Sequence, residues 1–426
     1  MTFQATASFA AELDQQDPLR LFRDRFFIPP VNGKPSIYMC GNSLGLQPKS
    51  AKTLIETELN DWAGLGVEGH VHGKNPWLYY HHFTQEALSK LLGARKKEVV
   101  AMGSLTNNLH LLLISFYRPT TKCYKVLIEH RPFPSDQYAV DSQVRMHGFT
   151  PEQAVIEMKP RSGEVNLRTD DILATIKEHA DELAVVIMGG VHFYTGELLD
   201  MQAITAAAHE AGATCGFDLA HAIGNVPMQL HDWSVDFACW CSYKYLNSGP
   251  GGVAGIFVHE KHHTNDAIIR LEGWWGHDEA NRFKMENKFV SMHTAESWQL
   301  SNAPVFPMAI HKAALDIVEE AGGIQAMRKK SEVLTSYFEF LLLKAKATSG
   351  ADFTILTPSA IEQRGCQLSL SFASNGKAIH ERLTEQGVIA DWREPGVIRM
   401  APVPLYNSFT DVYRLVSLMF NNPFEN

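Results

Sequence analysis

The sequence predicts an α/β protein built on a mostly parallel, doubly wound sheet, followed by a smaller α+β unit. Two observations carry that prediction. Between about Ala51 and Pro307, short apolar runs ending in Gly or polar residues alternate with amphipathic stretches, the pattern of strands and helices in one sheet. From Pro307 the texture changes to two long helical patterns, then short strand and helix segments.

The clearest strands are expected at residues 124–129, 184–188, 214–217, 237–240 and 255–258. Helices fall between several of them. Leu54, Ile55, Leu59 and Trp62 recur at three and four, and residues 201–211 are Ala-rich before Gly212. After Pro307 the pattern predicts helices at 308–321 and 324–347, a strand at 366–372, a helix at 378–386, a strand at 397–401 and a helix at 411–420. The segment before Ala51, with Pro29-Pro30 and Gly33-Lys34-Pro35, reads as an irregular arm packing on this second unit. The expected division is an arm over 1–50, a large domain over 51–307 and a small domain over 308–426.

Bulk properties narrow the function classes. The chain has 426 residues and a formal net charge of -9, without a block of basic residues to attract nucleic acid or an anionic membrane. Six cysteines are too sparse for a disulfide framework and point to a reducing, cytoplasmic compartment. The first 18 residues carry Glu12, Asp14 and Asp17 but neither Lys nor Arg, which argues against a targeting peptide. The most apolar stretch, residues 109–117, contains His110 and is far shorter than the ~20 residues of a membrane span. A small-molecule partner is expected.

The chemistry concentrates in two places. Gly216-Phe217-Asp218-Leu219-Ala220-His221 and Cys239-Trp240-Cys241-Ser242-Tyr243-Lys244 each put a functional residue at the end of an apolar strand, where ligands bind in open α/β sheets. A pyridoxal cofactor needs such a pair: a lysine amine for the Schiff base and a carboxylate against the pyridine nitrogen. Lys244 and Asp218 fit those roles, and apolar neighbours such as Trp240 and Tyr245 are expected to favour the neutral amine. Taken singly, an Asp after a strand is also a turn or capping residue, and a Lys there a solvated charge. The turn Ser248-Gly249-Pro250-Gly251-Gly252 adds a place for close backbone approach, and it lacks the GKS or GKT ending of a nucleotide-phosphate loop.

Longer motifs make the reading specific. HDWSVDFACWCSYKYLNSGPGG (231–252), GNSLGLQP (41–48), FPSD (133–136), GVHFYTG (190–196), RFKM (282–285) and IRMAPVPLYNSF (398–409) occur in an order that resembles the kynureninase family. The resemblance implies the aspartate aminotransferase fold (type I) with a seven-stranded sheet and pyridoxal 5'-phosphate as cofactor. It implies hydrolysis of the β,γ carbon bond of kynurenine or 3-hydroxykynurenine to an anthranilate plus alanine, in tryptophan catabolism and NAD biosynthesis. Lys244 becomes the anchor and α-proton base, Asp218 the partner of the ring nitrogen, Phe133 the stacking ring and Tyr243 a proton donor near the phosphate. Leu105 and Thr106 are implied to bind phosphate, and Pro134, Ser135, Asp136 and His221 to contact the cofactor.

Further roles follow from the same resemblance. Trp274 and Asn302 are implied to reach the neighbouring subunit's site in a homodimer. Arg399, on a strand where it needs a bidentate anionic partner, is assigned the substrate α-carboxylate, with Asn42 and Ser43 beside the substrate. His70, Ser301 and Asn302 resemble the branch that prefers 3-hydroxykynurenine. Gly189 departs from the pattern, because relatives carry Ser or Thr there; a hydroxyl contact to the cofactor is expected to be missing or replaced by water.

Other readings share some of these residues. A cysteine desulfurase or aminotransferase uses the same Asp and Lys, but the only late cysteine, Cys366, begins an apolar strand instead of occupying a loop. A cofactor-binding regulator would need an appended partner-binding module. No metal is expected: His70-Val71-His72, His81-His82 and His262-His263 lack acidic or Cys companions at zinc-site spacing, and Cys239 and Cys241 alternate along a core strand.

Overall fold

Seven strands form the central sheet of the computed structural model, which describes residues 2–424. Met1, Glu425 and Asn426, the outermost residues of the expected arm and small domain, lie outside the described residues. The strands are β1 (Val99–Ala101), β2 (Lys125–Glu129), β3 (Val155–Met158), β4 (Leu183–Gly189), β5 (Thr214–Asp218), β6 (Phe237–Trp240) and β7 (Gly255–Val258). Their order is β1-β7-β6-β5-β4-β2-β3. Strands β2 to β6 pair in parallel, and β7 runs antiparallel to both of its neighbours. The sheet is therefore mostly parallel.

Burial on both faces explains why the strands read as continuous apolar runs. Successive residues feed opposite cores: Leu127, Val186 and Phe217 pack on one side, and Val126, Ile128, Val185 and Ile187 on the other. Strands β1 and β3 were unforeseen in sequence: β1 has only three residues, and β3, with Glu157 exposed among its four, lacks the continuous apolar run of the others.

Strand order creates the crevice. The chain leaves β2 for β3 at the sheet edge, then returns to β4 on the opposite side of β2 and continues outward to β5 and β6. Connections therefore diverge between β2 and β4, and a ligand cleft opens at the carboxyl ends of those strands.

The second unit has its own core. Helix Gly323–Ser349 and helix Phe409–Met419 cover a four-stranded antiparallel sheet in the order Thr354–Ile355, Leu368–Ser371, Val397–Met400, Asp391–Arg393.

Two local expectations change. The arm is not wholly irregular: Ala7–Gln16 is a ten-residue helix, with Thr6 accepting from the Phe9 amide, and it buries Ala10 and Leu13 against Val412 and Leu415. Ile37–Tyr38 pairs in parallel with Val388–Ile389. Phe9, Ala10 and Leu13 recur at helical spacing, a signal the neighbouring prolines overshadow. Helix Ala51–Leu65 forms where the stripe predicts it, yet Leu59 and Trp62 face outward, 45% and 59% exposed. The buried residues on this helix are Ala51 at its start and Glu58, whose carboxylate accepts from Asn75, Trp77 and Tyr80.

Candidate active site

A cavity of about 260 Å³ opens at the carboxyl ends of β2, β4 and β5 and against the loop after β6. Its other wall is two helix N-termini, those of Leu105–Phe116 and Pro134–Met146.

Lys244 lies four residues beyond β6, and its Nζ sits 2.9 Å from His221 Nε2 and 5.7 Å from the centre of the Phe133 ring. Burial holds the His221 imidazole well below its ordinary pKa, so it is neutral and hydrogen-bonds the lysine amine through Nε2. His221 Nδ1 is buried without a partner in the chain. Asp218, the last residue of β5, accepts from the Ala220 amide at 2.7 Å and lies against Asp136 of helix Pro134–Met146. Burial raises both carboxyls, and the neighbouring Asp218 charge raises Asp136 further.

Phe133 is the N-cap of that helix and stands 39% exposed toward the cavity, edge-on to Phe193. Tyr243 also lines the cavity; burial raises its phenol and its side chain bonds Cys241. At the opposite wall Ser104 caps helix Leu105–Phe116 without a side-chain bond to its first turn. Ser104, Leu105 and Thr106 therefore present helix N-terminal amides to the cavity, an arrangement that attracts a phosphate.

These features fit pyridoxal phosphate: an amine paired with a neutral imidazole, a buried acid pair suited to a protonated ring nitrogen, an exposed aromatic face and an anion-binding helix end. Of the residues expected at the cofactor, Leu105, Thr106, Phe133, Ser135, Asp136, Asp218, His221, Tyr243 and Lys244 line one cavity. Pro134 does not line it; as the first residue of its helix it is exposed.

Several expected residues sit elsewhere. Arg399 occupies an inner strand of the small sheet, 1% exposed, donating to Asp391 at 2.6 Å and to the Phe193 carbonyl at 2.6 Å. Its anionic partner within the chain is thus Asp391, behind the cavity wall to which Phe193 contributes. Asn42 is buried and donates to Gln367 at 2.8 Å, and Ser43 is half-buried. His70 contacts the Val67 carbonyl and the edge of Trp77, while Trp274, Ser301 and Asn302 are exposed. None of these lines the cavity.

The glycine-rich turn is a backbone device. A Cβ at Gly252 would stand 2.7 Å from the Ser248 carbonyl, and the turn stays outside the cavity lining. Glu129 lines the cavity but was not singled out in sequence, and Cys241, expected on a core strand, lies just past the end of β6 and lines the cavity. Glu129 carried a legible signal, because like Asp218 it closes an apolar strand. His81 and His82 do acquire an acidic companion, Glu296, more than 200 residues away. Glu296 bonds both imidazoles and Gln85, and this hydrogen bonding accounts for the cluster.

A family model described as the kynureninase C-terminal domain matches residues 327–419. Over its whole length the chain is 49% identical to a kynureninase of Flavobacterium psychrophilum, covering 100% of both sequences. It is 52% identical to a kynureninase of Myxococcus xanthus, over 98% of this chain and 97% of that one. The chain belongs to the kynureninase family. As a kynureninase-family enzyme it depends on pyridoxal phosphate and hydrolyses a carbon–carbon bond of kynurenine.

The kynureninase relationship extends to a protein of Mus musculus, 47% identical over 96% of this chain and 92% of its own length. Solved structures agree on the fold. A cysteine desulfurase from Thermococcus onnurineus superposes with a TM-score of 0.74 at 14% identity, over 91% of this chain and 94% of that one. A cystine C-S lyase gives a TM-score of 0.75 at 15% identity, over 90% and 97%. At such identities the likeness shows fold alone. Cys366, the one late cysteine a desulfurase reading could use, is buried with its thiol pushed up to about 12.

Proposed function

We propose that this kynureninase-family enzyme prefers 3-hydroxykynurenine to kynurenine and works as a cytoplasmic homodimer, in tryptophan catabolism and NAD biosynthesis. The observation that carries the site assignment is the convergence of Lys244, His221, Phe133 and the Asp136–Asp218 pair in one cavity. The dimer reading rests on the residues outside it. His70, Trp274, Ser301 and Asn302 lie away from this chain's own cavity, and exposed Leu59, Trp62, Val67 and Val71 surround the first of them in sequence. We read these residues as completing the neighbouring subunit's site.

Each residue then has a task. Leu105 and Thr106 would hold the phosphate at their helix N-terminus, with Ser135 in the same cavity and Pro134 fixing the start of the second helix. Phe133 would stack on the cofactor ring, and Asp218, backed by Asp136, would pair with its ring nitrogen. When bound, the cofactor supplies an electron sink for charge developing on the substrate. Lys244 anchors the cofactor, and its amine, hydrogen-bonded to neutral His221, removes the α-proton. Tyr243 keeps its proton through neutral pH because burial raises the phenol, which suits the final donor step that yields alanine. Arg399, held by Asp391, receives the substrate carboxylate near Asn42 and Ser43. His70, Ser301 and Asn302 read the ring hydroxyl, and a substrate lacking it leaves them unpaired.

Steady-state turnover of both kynurenines with product identification tests this reading. The expected products are an anthranilate and alanine, with kcat/KM at least about tenfold higher for the hydroxylated substrate. An equal or higher value for kynurenine would refute the preference.

A further inference from the structure

One ionisable group in the cavity wall has no place in the roles above. Glu129 closes β2 and is 5% exposed. Its Oε1 accepts the Gly189 amide, at the end of β4, at 3.0 Å. Glu129 therefore bridges the two strands whose connections diverge to open the cleft. The bare α-carbon of Gly189 leaves room for this contact: a Cβ there would stand 3.1 Å from Glu129 Oε1, tighter than ordinary van der Waals distance.

The carboxyl does not stand alone. It faces the cavity with Asp218 from β5, Asp136 from helix Pro134–Met146, and Lys244 and Tyr243 from the loop after β6. His221 in the same wall is neutral, and the neighbouring residue on β3 is uncharged Met158. Burial, with the Asp218 charge adding to it, pushes the Glu129 carboxyl up to about 7. Glu129 in turn helps to raise Asp136.

We propose that Glu129 is a positioning residue for the cofactor: anchored on Gly189, it is the third member of an acid cluster with Asp136 and Asp218. Acting through that pair, it limits the negative charge the pair presents to the ring. This inference rests on the cofactor site proposed above. A glutamine at 129 keeps the acceptor for the Gly189 amide and removes the ionisation, which separates a structural role from an electrostatic one.

The experiment is a pH titration of the bound cofactor's absorbance in wild-type holoenzyme and in Glu129→Gln, with cofactor affinity and unfolding midpoint measured for both. Freed of the Glu129 charge, the Asp136–Asp218 pair carries more negative charge near neutrality, which favours the protonated form of the chromophore. The expected result is a band whose proton affinity rises about threefold or more in Glu129→Gln, a midpoint about 0.5 pH units higher, and a lower midpoint would overturn the proposal. Superimposable titrations at equal cofactor affinity would overturn the proposal and leave the cofactor site standing. Loss of cofactor binding by Glu129→Gln at an unchanged unfolding midpoint would also overturn the charge-limiting role. Failure of the wild type to develop a band would instead fall on the cofactor site, and take Glu129 with it.

Discussion

A lysine that must act as a base needs a neighbour that accepts its hydrogen bond without adding charge, and neutral His221 at 2.9 Å from Nζ is such a neighbour. Replacing Lys244 by Ala should abolish the covalent absorbance band and lower turnover by about a thousandfold or more, while leaving the unfolding midpoint close to wild type. Retention of more than about a tenth of wild-type turnover would count against Lys244 as the base. Another histidine matters for stability. His311 is fully buried, bonded to Ser248 Oγ at 2.7 Å, and its pKa is lowered by burial to about 3. Since the unfolded chain binds that proton near pH 6.5 and the native state refuses it, stability falls as pH drops from about 6.5 toward 3. Urea unfolding should show a His311→Gln variant with a shallower loss in that window, by up to about 1.4 kcal/mol per pH unit. Identical slopes would remove His311 from the account. Asp218 and Lys244 were legible in sequence because each follows an apolar strand. Glu129 showed the same signal, but its meaning depends on Gly189, sixty residues later.

At the scale of elements, periodicity located helix Ala51–Leu65 but not the face it buries. The Glu58 carboxylate is drawn inward by three donors from Asn75, Trp77 and Tyr80, and the helix turns Leu59 and Trp62 outward. A buried charge satisfied by three hydrogen bonds outweighs an apolar stripe that a second subunit can cover. Leu59→Glu should therefore weaken self-association about tenfold or more in sedimentation velocity, because it would place an unpaired charge in the dimer contact proposed above. An unchanged sedimentation distribution would move the subunit interface elsewhere. The N-terminal arm teaches a similar lesson: its prolines were conspicuous, whereas the short helix Ala7–Gln16 takes much of its stability from packing on helix Phe409–Met419.

For the whole molecule, alternating strands and helices were enough to anticipate a mostly parallel sheet, since strands buried on both faces must be apolar throughout. Strand order was not legible. The reversal between β2 and β4 depends on which way each crossover packs, and that choice brings Glu129, Gly189 and Asp218 to one cleft. Arg399 illustrates the limit from the other side. Its strand context predicted an anionic partner, yet only the paired strand Asp391–Arg393 supplies Asp391. No described helix is long and apolar enough to cross a membrane.

By itself the sequence determined the α/β class, the lysine and aspartate at two strand ends and the likeness to kynureninases, because these depend on local periodicity and on residue order. Tertiary structure alone decided which groups share the cavity, that His221 is neutral beside Lys244, that Asp136 lies against Asp218, and that Glu129 joins them. The physical reason is that desolvation and charge coupling act over a few ångströms in space, between residues that the chain keeps far apart.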